Sequence, residues 1–400
     1  MKKAFDFTIT HRLDGALARA GVLHTPHGDI ETPAFIPVGT KATLKSLTPE
    51  QLEATGAQAV LANAYHLYLR PGHAIIDGAG GLNDFMNWHK PTFSDSGGFQ
   101  VMSLGVGFKK VIDMTGNGEA NITKKKDKLA WIDNDGVNFK SHLDGSMHRF
   151  TPETSMQIQH AIGADITFAF DELTTLHHDY AYQVESLDQR THPWAERSLA
   201  EHKRLNAERT HRPPQALFGV VQGANYEDLR RKSAQFLGNM DFDGYGLGGA
   251  LEKDKIGEIV HWMSEELPED KPRHMLGISE PDDIFACIEN GADTFDCVSP
   301  ARVARNGALY TRHGRVNVTK ATYREDFTSF DKTCDCYTCL NYTSAYLHHL
   351  FHGDELLANT LATIHNERFI IKLVDDIRDS IKDGLFHEFK NEFLTGYYRR

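Results

Sequence analysis

Residues 216–223 read ALFGVVQG, an almost unbroken apolar run that stops at a glutamine and a glycine. A half-buried strand alternates polar and apolar residues, because successive side chains point to opposite faces. A strand apolar on both faces is covered on both faces, as in a parallel sheet flanked by helices. Seven other runs resemble it: TPAFIPVG (32–39), AQAVLANAYH (57–66), PTFSD (91–95), ADITFAFDE (164–172), GYGLGG (244–249), RHMLGIS (273–279) and ADTFDCVSP (292–300). Helical patterns such as YEDLRRKSAQFLGNM (226–240) and DKIGEIVHWMSEEL (254–267) lie between most of them. Eight such strands, mostly alternating with helices, predict an α/β fold: a parallel sheet closed into a (β/α)8 barrel. An open doubly wound sheet is the alternative, and no Gly-rich dinucleotide fingerprint follows the first strand to support it.

Two stretches interrupt the alternation. Residues 105–150 read as a loop plus a hairpin, carrying NITKKKDK (121–128) and DGVNFKSHLDGS (135–146). Beyond residue 300 come a basic stretch, the cluster CDCYTC (334–339), and helical sequence to the end. No internal repeat or low-complexity linker divides the chain.

Composition narrows the class. The chain has 400 residues, 40% hydrophobic and 24% charged, which is ordinary for a globular protein. The start, MKKAFDFTITHRLDG, is basic but has no apolar run behind it, so neither a signal peptide nor a membrane anchor is expected. Five cysteines without a secretory signal point to a reducing cytoplasm and to free or metal-bound thiols. A net charge of −12 argues against a nucleic-acid partner for the chain as a whole. One span departs from it. Arg302, Arg305, Arg312, Arg315, Lys320 and Arg324 fall between residues 301 and 324, with no Asp or Glu among them. That stretch follows the eighth strand and is expected to meet phosphate. Lys124–Lys126 and Lys128 form a second cluster, read as a solvated face.

A barrel carries its active site at the C-terminal ends of its strands. Those ends hold Asp95 followed by Ser96, Gly97 and Gly98; Asp171 and Glu172; Gln222 and Gly223; Gly248 and Gly249; Gly277; and Asp296. Strand-to-helix turns favour Asp and Gly as caps, so each position alone says little. Converging on one mouth, they offer carboxylates, an amide and close backbone approach. A purine such as guanine presents N–H donors that a carboxylate accepts, and an O6 that a Gln amide or a glycine N–H serves. A further pair of carboxylates suits glycosidic-bond chemistry, one attacking the anomeric carbon and one moving protons. Cys297 is a rival nucleophile, but strand alternation turns it away from the face that Asp296 occupies.

In CDCYTC three thiols lie within six residues, a soft set suited to zinc. A closed tetrahedral site needs a fourth ligand, and His348, His349, His352 and His365 all stand downstream. The cluster lies outside the strand ends, so such a zinc is expected to be structural.

The motifs FSDSGGFQVMSL (93–104), FKSHLDGS (139–146), FAFDE (168–172), FGVVQG (218–223), GYGLGG (244–249), MLGISEP (275–281), TFDCVSPARVARNG (294–307) and CDCYTC with His365-Asn366 resemble the tRNA-guanine transglycosylases of the bacterial type. They span most of residues 30–367 in order. The resemblance implies a single (β/α)8 catalytic domain over 1–400, an embedded zinc-binding subdomain at about 310–367 and a helical segment at 368–400. It selects His365 as the fourth ligand, beside Cys334, Cys336 and Cys339, for one zinc per chain. It implies Asp296 as the nucleophile on the ribose of a wobble guanosine, and Asp95 as general acid/base. Asp95, Ser96, Phe99, Asp171, Gln222 and Gly249 would hold the base. Gly277, Ser279, Arg302 and Arg305 would hold the tRNA anticodon loop. No redox cofactor or ATP is implied, and family members usually work as homodimers.

Two departures stand out. After GYGLGG comes ALEKDK (250–255), where the family typically has a segment like LSVGE or LSGGE. That loop, with Leu173 and Leu276, borders the pocket for the base's substituent. The expected incoming base is the 7-deazaguanine preQ1, with queuine as the alternative. The insert at about 105–130 is also longer than usual. A metal-dependent barrel hydrolase would need ligands such as an H-x-H pair on an early strand, and none is there. A non-catalytic tRNA-binding paralogue would lack the nucleophile, whereas Asp296 stands in its full motif.

Overall fold

The computed structural model describes residues 4–106 and 129–399. Eight short strands form the central sheet: β1 (Ala34–Pro37), β2 (Val60–Ala62), β3 (Thr92–Ser94), β4 (Ile166–Phe168), β5 (Ala216–Val221), β6 (Gly244–Leu247), β7 (Arg273–Met275) and β8 (Thr294–Cys297). They are the eight runs read from the sequence. Each pairs in parallel with its neighbours, in the order β1-β8-β7-β6-β5-β4-β3-β2. A parallel bridge between Val38 and Leu61 joins β1 to β2, and Gly39 N–H donates to Leu61 O at 2.7 Å. The sheet is therefore a barrel and not an open doubly wound sheet.

Ala34, Ile36, Phe93, Ile166, Phe168, Ala216, Phe218 and Val220 fill the barrel interior. An antiparallel sheet of Asp6–Arg12, Arg19–Thr25 and Gly28–Thr32 adds Phe7, Leu23 and Ile30 to the same cluster. These strands close the barrel's N-terminal end and leave the other end open. The sequence reading missed them. Their alternation is broken: in the first strand only Phe7 is buried.

Helices follow the strands and cover the outside, among them Glu227–Gly238 after β5, Ile256–Glu266 after β6 and Pro281–Glu289 after β7. The stretch expected to hold a hairpin is a three-stranded antiparallel sheet, Ala130–Asp133, Gly136–Lys140 and Met147–Phe150. Its buried Phe139 meets Tyr65 at a ring-centroid distance of 5.5 Å. Lys124–Lys126 and Lys128 lie outside the described residues. After β8 the chain forms helix Ser299–Ala304 and the hairpin Ala308–Thr311 with Gly314–Asn317. One continuous helix, Leu356–Lys382, then buries Leu361, Ile370, Val374 and Ile377 and packs on β1 and the N-terminal sheet. Among the described residues, no helix is long and apolar enough to cross a membrane.

Candidate active site and metal centre

Three carboxylates meet at the C-terminal mouth. Asp95 directly follows β3. Its Oδ1 accepts from Ala64 N–H at 2.7 Å, and its Oδ2 from Asn63 Nδ2 at 2.5 Å and Gln100 Nε2 at 2.9 Å. Asn63 and Ala64 directly follow β2, so the adjacent strand supplies two of these three donors, and the helix after β3 supplies Gln100. Burial pushes the Asp95 carboxyl up to about 6 against those hydrogen bonds, and the nearby Asp296 charge adds to the rise.

Asp171 lies beyond β4, and Gln222 directly follows the neighbouring β5. Gln222 Nε2 donates to Asp171 Oδ2 at 2.6 Å. Burial raises Asp171 to about 7, and the Glu172 and Asp95 charges add to this. Glu172 itself turns away, accepting from Arg190 Nε at 2.5 Å and Tyr182 OH at 2.7 Å. Gly98 ties the two carboxylate loops together, since a Cβ there would sit 3.0 Å from Asp171 O. The hydroxyl of buried Ser96 accepts from Gly98 N–H at 3.2 Å, and Phe99 on the next turn is exposed.

Gly249 has a φ of +106°, and a Cβ there would lie 2.7 Å from Gln222 Oε1 and 2.8 Å from Arg230 Nη2. Glycine is therefore required on two counts, conformation and space. Arg230 is fully buried beneath this turn. It donates to Gly248 O at 2.7 Å, Ala224 O at 2.7 Å and Val221 O at 3.1 Å. Burial pulls its guanidinium down to about 9. The sequence reading missed Arg230, although it stands on the buried stripe of its helix with Leu229, Ser233, Ala234 and Leu237.

Asp296 projects inward from β8 beside Thr294, while Phe295 and Cys297 join the outer core. The expected alternation holds, and burial raises the Cys297 thiol. Asp296 Oδ1 accepts from His274 Nε2 at 3.0 Å and Gly277 N–H at 3.2 Å. His274, on β7, is fully buried and was not singled out from sequence. Strand parity alone would have placed it on the inward face.

The basic stretch divides. Arg312 meets Asp376 at 3.4 Å, and Arg315 is paired with Glu280. Arg302 and Arg305 occupy the helix after β8 and its C-terminal cap, next to the mouth. Arg302 is exposed, with Nη2 on Ser299 Oγ at 2.9 Å, and Arg305 Nη1 donates to Ala301 O at 2.9 Å. Gly277 has a φ of +79°, while Ser279 is buried with its hydroxyl toward the Cys297 thiol.

Away from the mouth, Cys334, Cys336, Cys339 and His365 place one ligand atom each within 4.8 Å of all the others. His365 Nδ1 lies 3.6, 3.6 and 3.3 Å from the three sulfurs. A tetrahedral ion with ordinary zinc–sulfur and zinc–nitrogen bonds would separate S and N by about 3.5 Å. His365 Nε2 sits 2.7 Å from Tyr310 O, so its proton belongs there and Nδ1 is left bare toward the sulfurs. The set could hold a metal, and all four corners are protein.

The family model described as "Queuine tRNA-ribosyltransferase" matches residues 14–399. A protein of that name from Thermoanaerobacter pseudethanolicus is 49% identical over 383 residues, covering 95% of this chain and 94% of its own. One from Halothermothrix orenii is 45% identical over 400 residues, covering 99% of each. Another from Geobacillus thermodenitrificans is 44% identical over 396 residues, covering 98% and 96%.

Proposed function

From the premise that this chain belongs to the queuine tRNA-ribosyltransferase family, the tRNA-guanine transglycosylases, we propose how its residues divide the work. The supporting observation is the convergence of Asp95, Asp171 and Asp296 on one mouth, each with a different set of partners. In the first half-reaction an Asp296 oxygen attacks C1′ of the wobble guanosine ribose. The C1′–N9 bond breaks, its electron pair leaves with guanine, and protonated Asp95 supplies a proton to the departing base. An ester joins enzyme and tRNA. In the second half-reaction the incoming base attacks C1′ and gives its proton to Asp95, and the ester C–O bond breaks to restore the Asp296 carboxylate. A carboxyl held near 6 can serve as both acid and base around neutral pH.

Asp171 accepts the base's N–H donors, while Gln222 and the Gly249 backbone serve its oxygen and Phe99 lies against its face. Ser96, whose hydroxyl accepts from Gly98 N–H in its own turn, contributes through its backbone. The incoming base is preQ1, as the bacterial-type resemblance implies, with queuine the second reading, because the short ALEKDK turn opens the substituent side beside Leu173 and Leu276. Arg302 and Arg305 meet the anticodon-loop phosphates, and Gly277 and Ser279 shape the neighbouring wall. The Cys3His cluster holds one structural zinc that fastens the C-terminal helices to the barrel. The enzyme works in the cytoplasm as a homodimer.

The test is exchange of labelled guanine, preQ1 and queuine into a tRNA with a wobble guanosine. Wild type should exchange and form a trappable protein–RNA adduct, and Asp296→Asn should do neither while still binding tRNA. Activity of Asp296→Asn above about a tenth of wild type would refute the nucleophile, because an amide is a far weaker one. Queuine used as well as preQ1 would reverse the choice of base.

A further inference from the structure

We propose that His274 is a positioning residue that fixes which oxygen of Asp296 attacks, through a chain running Thr294 to His274 to Asp296. The inference rests on the assignment of Asp296 as nucleophile. Both bonds of the chain are inside the barrel: His274 Nδ1 lies 2.9 Å from Thr294 Oγ1, and Nε2 lies 3.0 Å from Asp296 Oδ1. His274 and Thr294 are both fully buried. The imidazole is wedged against Phe93 and Phe168, at ring-centroid distances of 5.4 and 5.2 Å. Phe93 stacks on the ring and Phe168 meets it at a tilt, which leaves it little freedom to turn, so its two nitrogens keep their assignments.

The tautomer follows from the partners. A carboxylate only accepts, so the nitrogen facing Asp296 carries the proton. In the neutral ring Nδ1 is then bare, and Thr294 O–H donates to it. Asp296 Oδ1 thus receives two donors, the His274 N–H and the Gly277 N–H at 3.2 Å. Among the described residues no donor meets Oδ2. The carboxylate is pinned by one oxygen and presents the other to the mouth.

This asymmetry has a chemical consequence. Oδ2 forms the bond to C1′ as the C1′–N9 bond breaks and its electron pair leaves with the base. Oδ1 becomes the carbonyl oxygen of the resulting ester. The two donors on Oδ1 hold that carbonyl still while the bases change places. When the ester C–O bond breaks in the second half, its electron pair returns to the carboxylate, and the two donors stabilise the share of charge on Oδ1. A fixed donor does this without reorganising at the moment of reaction.

His274→Phe keeps the aromatic wedge and removes both hydrogen bonds. Its kcat for base exchange should fall about tenfold or more, because the attacking oxygen is no longer held in line. The KM for tRNA and the metal content should stay at wild-type values, since His274 touches neither. His274→Gln returns a donor toward Oδ1 and should recover at least about threefold of the loss. Thr294→Val should lower kcat in the wild-type background and have no further effect in the His274→Gln background, where no ring remains to be oriented. Equal losses in the Phe and Gln variants would show that His274 only packs, and would overturn the proposal. A kcat for His274→Phe within about twofold of wild type would do the same, as would an additive Thr294→Val effect. If His274→Phe does not fold, the Gln and Thr294→Val comparison decides. Asp296→Asn run in parallel separates the two levels: exchange by that variant sinks the nucleophile itself, whatever His274 does.

Discussion

The role proposed for the Asp171 carboxyl makes base recognition depend on pH in a calculable way. Burial and the neighbouring Glu172 and Asp95 charges raise it to about 7, against the pull of the Gln222 hydrogen bond. Its proposed task is to accept N–H donors from the base, which only the ionised form does with both oxygens. A carboxylate whose value is raised ionises late, so base binding is intact above about 7 and lost as pH falls through it. With competition from the proton alone, the apparent KM for the base scales as one plus the protonated-to-ionised ratio. Between pH 8 and pH 6 that factor rises from about 1.1 to about 11, roughly a tenfold loss worth about 1.4 kcal/mol. At saturating base the proton is displaced, so the Asp171 step belongs to KM and not to kcat. The assay is initial-rate exchange of labelled base at fixed saturating tRNA, from pH 5.5 to 8.5. Gln222→Met removes the hydrogen bond that holds Asp171 down, so its KM rise should begin at higher pH. Asp171→Asn should show a weak, pH-independent KM. It should also melt at a higher temperature near neutral pH, because a carboxylate with a raised value costs stability once it is forced to ionise. A wild-type KM that is flat or falls between pH 8 and pH 6 would refute the reasoning.

Zinc should be recovered at one per chain, and Cys336→Ala should lose it and loosen the helices after residue 337 without changing the chemistry of the folded fraction; this is checked by metal analysis, proteolysis and exchange rate. Arg302→Ala and Arg305→Ala should each raise the KM for tRNA and flatten the salt dependence of binding by about one unit per lost phosphate contact, which a titration across salt concentrations measures. Gly249→Ala would place a methyl 2.7 Å from Gln222 Oε1 and 2.8 Å from the immobile Arg230. With a left-handed backbone as well, it should cost about 1–3 kcal/mol of stability and raise the KM for the base more than the KM for tRNA, read by thermal melting and steady-state kinetics.

The barrel was legible because its strands are buried on both faces, and a run such as ALFGVV has few other readings. The strand ends were legible for the same reason: once the run is placed, the residue that follows it is placed too. Asp95, Asp171, Gln222 and Gly249 come from four separate runs, yet each sits at the mouth where its strand delivers it. The N-terminal sheet was not legible. Phe7, Leu23 and Ile30 are its residues buried in the barrel interior, with Ile9 packed against them, too few to mark three strands against a polar background.

What sequence could not supply was the pairing across strands. Asp296 reads as a strand-end carboxylate, but its geometry depends on His274, 22 residues earlier and on the neighbouring strand. Parallel register puts His274 opposite Thr294, and two residues of pleat then bring the ring under Asp296. A local pattern contains the parity of each strand but not the stagger between them, because stagger is set by the tilt that closing the barrel demands. Arg230 illustrates the same limit from the helix side. Its sequence position says that it is buried, and only the packed turn shows what meets it there: three backbone carbonyls at 2.7–3.1 Å accept from its Nε and Nη1. Those carbonyls belong to the end of β5 and to the turns that follow β5 and β6, so the guanidinium braces the floor on which Gln222 and Gly249 stand. The residues proposed for the chemistry are thus ones that sequence reveals, and their supports come into place only through the strand next door.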